Sequence, residues 1–400
     1  MSEEHLCLCL PSFAGGGAEK VFVTLMQVCM FEPIDRSKQT PEVRLSNETN
    51  HEVSIKNLPH AKRPQEKIRS SFVVLSAEGP LKNRVPSDCV IYDLNRRSAK
   101  RSIFSLIQHF KKTKPSIVVS NLAYFNFVII FSLILARHRP RRLILREANT
   151  PNSTIRSLKI KYLGMFLYKN LYKRADAVIC NSRQIKSELR GLGVPRDKIK
   201  VIPNPIDINE LSEMANKRCK LPEFTEKSAS LIISIGRLTE QKGFDRLIDW
   251  FCKLQSNVNL LIIGDGPDEE KLNKQIRAVN KTKSIKIIGF QENPFSFVKK
   301  ASAVVLASRW EGLPNIGLEA LALGKPVIAT LECGGLVELA EEFSVDNLQI
   351  VETGVEFARA VEAVIDDDAA RDFSVLAGSK LPPKYGIENV MRQYTQIIYG

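Results

Sequence analysis

Apolar and polar positions alternate along this chain in short blocks. His5–Leu10 is a compact apolar run, followed by a glycine turn at Gly15–Gly17 and an apolar stretch, Val21–Val28, that continues as a helix. Strands are expected at Phe72–Leu75, Cys89–Tyr92, Ile117–Val119, Leu143–Leu145 and Ala177–Cys180, with an amphipathic helix at Ile103–Phe110. The second half repeats the rhythm. Strands fall at Leu231–Ile235, Leu260–Ile263, Ile285–Ile288, Ala303–Leu306 and Pro326–Ala329, with helices at Gly243–Leu254, Glu269–Val279 and Leu318–Leu323 between them. Short apolar runs separated by helical segments predict parallel, doubly wound sheets. The expected fold is α/β, with two Rossmann-like domains facing each other across a cleft. Pro203-Asn204-Pro205 is a stiff extended joint and marks the boundary, giving domains at 1–203 and 204–385. A C-terminal helix at 386–400 is expected to cross back to the first domain.

Two stretches break the rhythm. From Phe31 to Ser70 the chain is polar and charged, with four prolines; this predicts an inserted loop at about 31–70 with one short strand around Val53–Ile55. Leu122–Ala136 is the most apolar stretch. As a helix its 15 residues reach about 22 Å, short of the ~30 Å hydrocarbon core of a bilayer, so a buried helix is expected. The basic run Arg137–Arg142 follows it and suits anionic lipid.

Composition adds little until charge is divided along the chain. The 400 residues are 44% hydrophobic and 26% charged, as in soluble globular proteins. Residues 1–205 hold 35 Lys and Arg against 16 Asp and Glu, net +19; residues 206–400 hold 23 against 28, net −5. The first half is thus the part drawn to an anionic partner, for which a membrane surface fits. No nucleic-acid module is recognisable, so nucleic acid is not expected as a partner. The eight cysteines are scattered with no C-x-x-C, which fits reduced thiols and a cytoplasmic setting, and the N-terminus reads as lacking a signal peptide.

The chemistry gathers where second-half strands end. Gly236-Arg237-Leu238 is followed by Lys242-Gly243, a fork donor and a point charge suited to phosphate. Gly264-Asp265-Gly266-Pro267 and Gly289-Phe290 come next; the latter offers backbone to a flat base. Arg309–Ala320 then carries two carboxylates, Glu311 and Glu319, separated by two glycines, a proline and an asparagine. Glu311 is expected on a loop at the carboxyl end of a strand and Glu319 about a turn into the next helix, in the crevice where open α/β sheets bind ligands. A carboxylate there suits two ribose hydroxyls, and helix-start amides favour phosphate.

In combination these motifs resemble the retaining family 4 glycosyltransferases. Gly236–Gly243, Gly264–Pro267, Gly289-Phe290 and Glu311–Ala320 carry the likeness, with Gly15–Glu19 and Asn204–Asp207 matching as well. The resemblance implies the two-domain GT-B arrangement. It implies that Arg237 and Lys242 bind the donor diphosphate, that Glu319 holds the ribose and that Glu311 faces the transferred sugar. Leu313, Pro314, Asn315, Ile316, Gly16 and Gly17 would contact phosphate and sugar, and Gly289 and Phe290 would flank the base. Many relatives carry a histidine in the loop that here reads Arg146–Thr150. Ala148 stands in that loop, leaving Glu147 and Asn149 as the sugar-side or acceptor-side candidates.

The resemblance further implies a retaining, metal-independent hexosyltransferase that uses no cofactor. A nucleotide-sugar donor, UDP-linked, would be its substrate. The acceptor would be a glycan or lipid-linked hydroxyl of lipopolysaccharide or polysaccharide synthesis, reached from the cytoplasmic membrane face. Two other readings share the architecture. A nucleotide-sugar epimerase needs acid/base groups at the sugar, and none of the five histidines falls at a clear strand end. A non-catalytic nucleotide-sugar-binding relative is the other.

Overall fold

The computed structural model describes residues 4–31, 69–157, 161–224, 229–343, 345–368 and 381–400. The chain divides into two compact units. The first comprises Met1–Leu145, Arg174–Asp176 and Tyr394–Gly400; the second comprises Arg146–Lys173 and Ala177–Gln393.

The strands form two sheets of Rossmann character. In chain order the first seven are β1 (His5–Leu10), β2 (Arg69–Val74), β3 (Val90–Asp93), β4 (Ile117–Asn121), β5 (Arg142–Glu147), β6 (Ala177–Cys180) and β7 (Ile199–Val201). They build a sheet of order β3-β2-β1-β4-β5-β6-β7. The second sheet has six strands: β8 (Ser230–Ile235), β9 (Val258–Ile263), β10 (Ile285–Ile287), β11 (Ala303–Leu306), β12 (Val327–Thr330) and β13 (Leu348–Val351). Its order is β10-β9-β8-β11-β12-β13, and all its pairings are parallel. β13 was not anticipated from the sequence; its Leu-Gln-Ile-Val is only partly buried and lacks a continuous apolar run.

Both faces of the second sheet are covered, which explains its unbroken apolar runs. Successive residues point to opposite sides. Ile232, Leu260, Ile262 and Val305 pack with helix α8 (Phe244–Phe251) in one core layer. Ile233, Leu261, Ile263 and Val304 pack with helix α11 (Asn315–Ala322) in the other. Gly324, at φ 74°, ends α11: its amide bonds Leu321 O at 3.0 Å, and Lys325 N bonds Ala320 O at 2.9 Å. That is the paired C-terminal closure for which a left-handed glycine is suited.

In the first unit, helix α1 (Gly17–Phe31) follows β1 through the glycine turn, with Gly15 at φ 89°. Gly16 and Gly17 stand at the start of that helix. The insertion expected at about 31–70, with its strand at Val53–Ile55, lies almost entirely outside the described residues; α1 runs to Phe31 and β2 begins at Arg69. The apolar stretch forms α3 (Ala123–Leu135), nine of whose residues are buried. Among the described residues no helix is long and apolar enough to cross a membrane. The basic run beyond α3 is partly neutralised: Arg139 lies 3.8 Å from Asp176, and Arg141 lies 2.7 Å from Glu4.

Candidate functional site

Three loops at the carboxyl edge of the second sheet are stitched together past their strand ends. Gly236 N bonds Ile263 O at 3.0 Å, Leu238 N bonds Asp265 O at 2.7 Å, and Gly264 N bonds Gly289 O at 2.9 Å. The glycines of Gly264–Pro267 are required by this stitching. Gly264 and Gly266 sit at φ 146° and 155°, and a Cβ on either would overlap a carbonyl oxygen, of Gly236 or Leu238. The turn read from sequence as ligand-capable thus serves first as backbone-to-backbone packing. Gly289 differs: at φ 69° it faces open space, and Phe290 beside it is 51% exposed.

Lys242 lies across Gly236, its stem 3.2 Å from where a Cβ would stand, so the missing side chain gives the lysine its bed. Its Nζ donates to Glu311 Oε1. Ser308 Oγ donates to the same oxygen at 3.3 Å. Glu311 is itself buried, its amide bonded to Glu332 O at 2.9 Å. The lysine and the first carboxylate of Arg309–Ala320 are therefore one pair. Glu319 is buried on α11, as the fifth residue of a helix that starts at Asn315. Arg237 is exposed. Leu313, Pro314 and Ile316 are buried and Asn315 half-buried, where α11 begins. The first amides of a helix have no partner within it, so this end presents donors suited to an anion.

Sequence reasoning missed the residues that hold this arrangement. Arg309 grips Asp245 of α8 with two bonds, 2.7 and 2.8 Å, and donates to Glu240 O at 2.9 Å. The Asp245 carboxyl is held below its usual range by those guanidinium bonds. Arg246 collects the chain beyond β11, donating to Ala307 O at 2.7 Å and to Ser308 O, and pairs with Glu332 at 3.2 Å. Gly243 permits that approach: at φ 64°, a Cβ on it would overlap Ala307 O. Cys333, fully buried beside Glu311, has its thiol pushed up to about 12 by burial and by that carboxylate. Asp245 and Arg246, at unremarkable helix spacing, gave no signal in the sequence, and Arg309 opened the stretch Arg309–Ala320 with no role read for it.

Asn204, read as part of a joint, is a buried pin. Its Oδ1 accepts from Arg146 at 2.6 Å, and its Nδ2 donates to Leu313 O at 3.1 Å and to Asn315 Oδ1. It fixes the turn that opens α11. Of the two candidates in the Arg146–Thr150 loop, Glu147 points inward and accepts from Tyr172 Oη at 2.5 Å and Tyr168 Oη at 3.4 Å. Asn149 is exposed. Among the described residues no three His, Cys, Asp or Glu side chains form a metal-holding group.

Comparison with known proteins gives this geometry a family. Residues 220–374 match the family model "Glycosyl transferases group 1", and residues 48–210 match "Glycosyltransferase Family 4". The chain belongs to the family 4 glycosyltransferases. An uncharacterized glycosyltransferase of Methanocaldococcus jannaschii is 32% identical to this family member over 239 residues, 57% of this chain and 58% of the relative. The 4-alpha-N-acetylgalactosaminyltransferase of Campylobacter jejuni that acts on a diphospho-undecaprenol-linked sugar is 25% identical over 232 residues, 58% of this chain and 62% of the relative. The match thus spans about three fifths of the length of these two relatives. Among solved structures, the Anabaena HepE protein in complex with UDP-glucose superposes with TM-score 0.71 at 17% identity, covering 98% of each chain. That likeness speaks for the fold, two Rossmann-like α/β sheets.

Proposed function

We propose that this family 4 chain is a retaining glycosyltransferase that moves a sugar from a nucleoside diphosphate sugar, UDP-linked, to a hydroxyl of a glycan or lipid-linked acceptor at the cytoplasmic membrane face. The observation that carries the reading is the Lys242–Glu311 pair at a strand end, flanked by the start of α11 and by open backbone at Gly289. The lipid-linked acceptor of the Campylobacter relative and the UDP-glucose bound by the Anabaena protein favour these substrates.

In this reading the donor diphosphate takes Lys242 from Glu311 and recruits Arg237, and the amides of Leu313, Asn315 and Ile316 receive the remaining phosphate charge, Pro314 between them having no N–H to give. As the bond to the anomeric carbon lengthens, negative charge grows on the leaving diphosphate, and these fixed donors stabilise it. Glu311, released from Lys242, faces the sugar hydroxyls. Glu319 accepts from the ribose hydroxyls, and Gly289-Phe290 lies along the base. The acceptor hydroxyl attacks from the leaving-group side and passes its proton to a donor phosphate oxygen, so configuration is retained without a protein nucleophile. Two glycosidase-type carboxyls flanking the bond are not needed. Lys242 and Arg237 supply the countercharge, and activity should survive EDTA.

Calorimetric titration with UDP, comparing the intact chain with Glu319→Ala, tests the binding half. Loss of one or two ribose bonds should weaken UDP about tenfold or more. Transfer from UDP-sugars to lipid-phosphate acceptors, with equal release of UDP, tests the chemistry and separates it from epimerisation. Failure of UDP, GDP and ADP all to bind would end the reading.

A further inference from the structure

Helix α5 (Lys161–Leu171) of the second unit is built inside out. Its inward positions hold Gly164 and Tyr168, the latter with its hydroxyl toward Glu147. Its outward positions hold Tyr162 at 84% exposure, Phe166 at 60%, Leu163 at 48% and Met165 at 46%. A helix on a water-facing surface normally shows the reverse. Glu147 and Glu188 lie toward its buried side, at Tyr168, and along its own stretch of chain the charge has one sign. From Ala148 to Ala175 the sequence contains six Lys and Arg and no Asp or Glu. Lys161 and Lys169 stand exposed at the two ends of the apolar strip.

We propose that the outer face of α5 docks on an anionic lipid surface, lying flat with its aromatic residues in the headgroup boundary and its lysines at the phosphates. The helix is far too short to span a bilayer, but apolar area rimmed by cations is what an interfacial helix requires. Tyrosine suits that boundary, and lysine stems reach from apolar surface to charge. The other apolar and basic surface, on α3, is the weaker candidate. Its exposed Phe131 and Leu135 are followed by arginines already engaged with Asp176 and Glu4. The proposal names the surface behind the membrane part of the reading above, on which its purpose rests.

The test is flotation of the full chain with phosphatidylcholine vesicles, with and without phosphatidylglycerol, alongside UDP titration. The intact chain should float with the anionic vesicles at low salt. Tyr162→Ser/Phe166→Ser should reduce that partitioning about tenfold or more with UDP affinity unchanged, and Phe131→Ser/Leu135→Ser should leave it intact. Lys161→Glu/Lys169→Glu, which spares the apolar strip, should weaken flotation by about tenfold if the serine variant fails to fold. Equal flotation of the intact chain and both α5 variants would overturn the proposal, as would a loss confined to the α3 variant. A dimer that Tyr162→Ser/Phe166→Ser converts to a monomer, without vesicle binding, would assign the face to a second copy instead. Vesicle binding that depends on α5 in a chain that binds no nucleotide would keep the docking surface and discard the transferase reading.

Discussion

Single residues at the strand ends show how one kind of amino acid serves two ends. Gly264 and Gly289 are hydrogen-bonded to each other, both at positive φ, yet only Gly264 has a neighbour's carbonyl in the place a Cβ would take. Gly264→Ala should therefore cost about 3 kcal/mol or more in denaturant unfolding, because backbone must move. Gly289→Ala meets only the left-handed backbone penalty, about 1 kcal/mol, so its main effect should appear in UDP affinity. Comparable losses of stability would contradict this distinction. Cys333 supplies a pH-dependent counterpart. Its thiol is raised from an ordinary 9.0 to about 12, so the folded state keeps the proton that the unfolded state gives up. Stability is complete below pH 9 and falls as pH climbs toward 12, by at most ~1.4 kcal/mol per pH unit for this group. Cys333→Ser should flatten that alkaline decline, measured by urea unfolding between pH 8 and pH 11.

At the scale of elements, the loop bearing Glu311 is set by α8. The Asp245–Arg309 fork ties the first turn of that helix to the residue two before Glu311. The Asp245 carboxyl sits below its ordinary 3.8, so its contribution is present above that pH and is lost as pH falls through the folded value. Asp245→Asn should destabilise by about 1 kcal/mol near neutrality, a figure discounted for partial exposure. The gap from the intact chain should narrow as pH falls below 3.8. A gap of constant size would mean that the tie carries no charge contribution. These elements were only partly legible in sequence. Apolar runs such as Val258–Ile263 announce themselves because both faces are buried. The ties between elements do not: Arg246, Arg309 and Asn204 are polar residues whose partners lie far along the chain. Asn204 looked like a linker residue because its prolines are local and visible, while Arg146 and Leu313 are not.

At the scale of the molecule, alternating rhythm was enough to predict two doubly wound sheets, since parallel pairing leaves few other arrangements. The chemical motifs were legible too, because glycines and paired charges at strand ends are rare elsewhere. Their partners were not: a sequence shows Lys242 and Glu311 as separate assets, and the fold joins them. Nucleotide binding should be felt where those loops lie. Hydrogen exchange with and without saturating UDP should slow at Gly236–Gly243, Gly264–Pro267 and Leu313–Glu319. Protection falling only outside the second sheet would misplace the site. Ligand at about a hundredfold over its dissociation constant should raise the unfolding free energy of that unit by about 2.7 kcal/mol.

The Lys242–Glu311 pair has a practical corollary. A site that satisfies its own cation makes the incoming diphosphate an exchange of anions, so part of the attraction is spent in evicting the resident carboxylate. Glu311→Gln would remove the incumbent and leave the lysine waiting. That variant should hold UDP more tightly than the natural chain, by about tenfold at most, while losing turnover. It would be an inert trap in which the bound donor outlives the time needed to look at it.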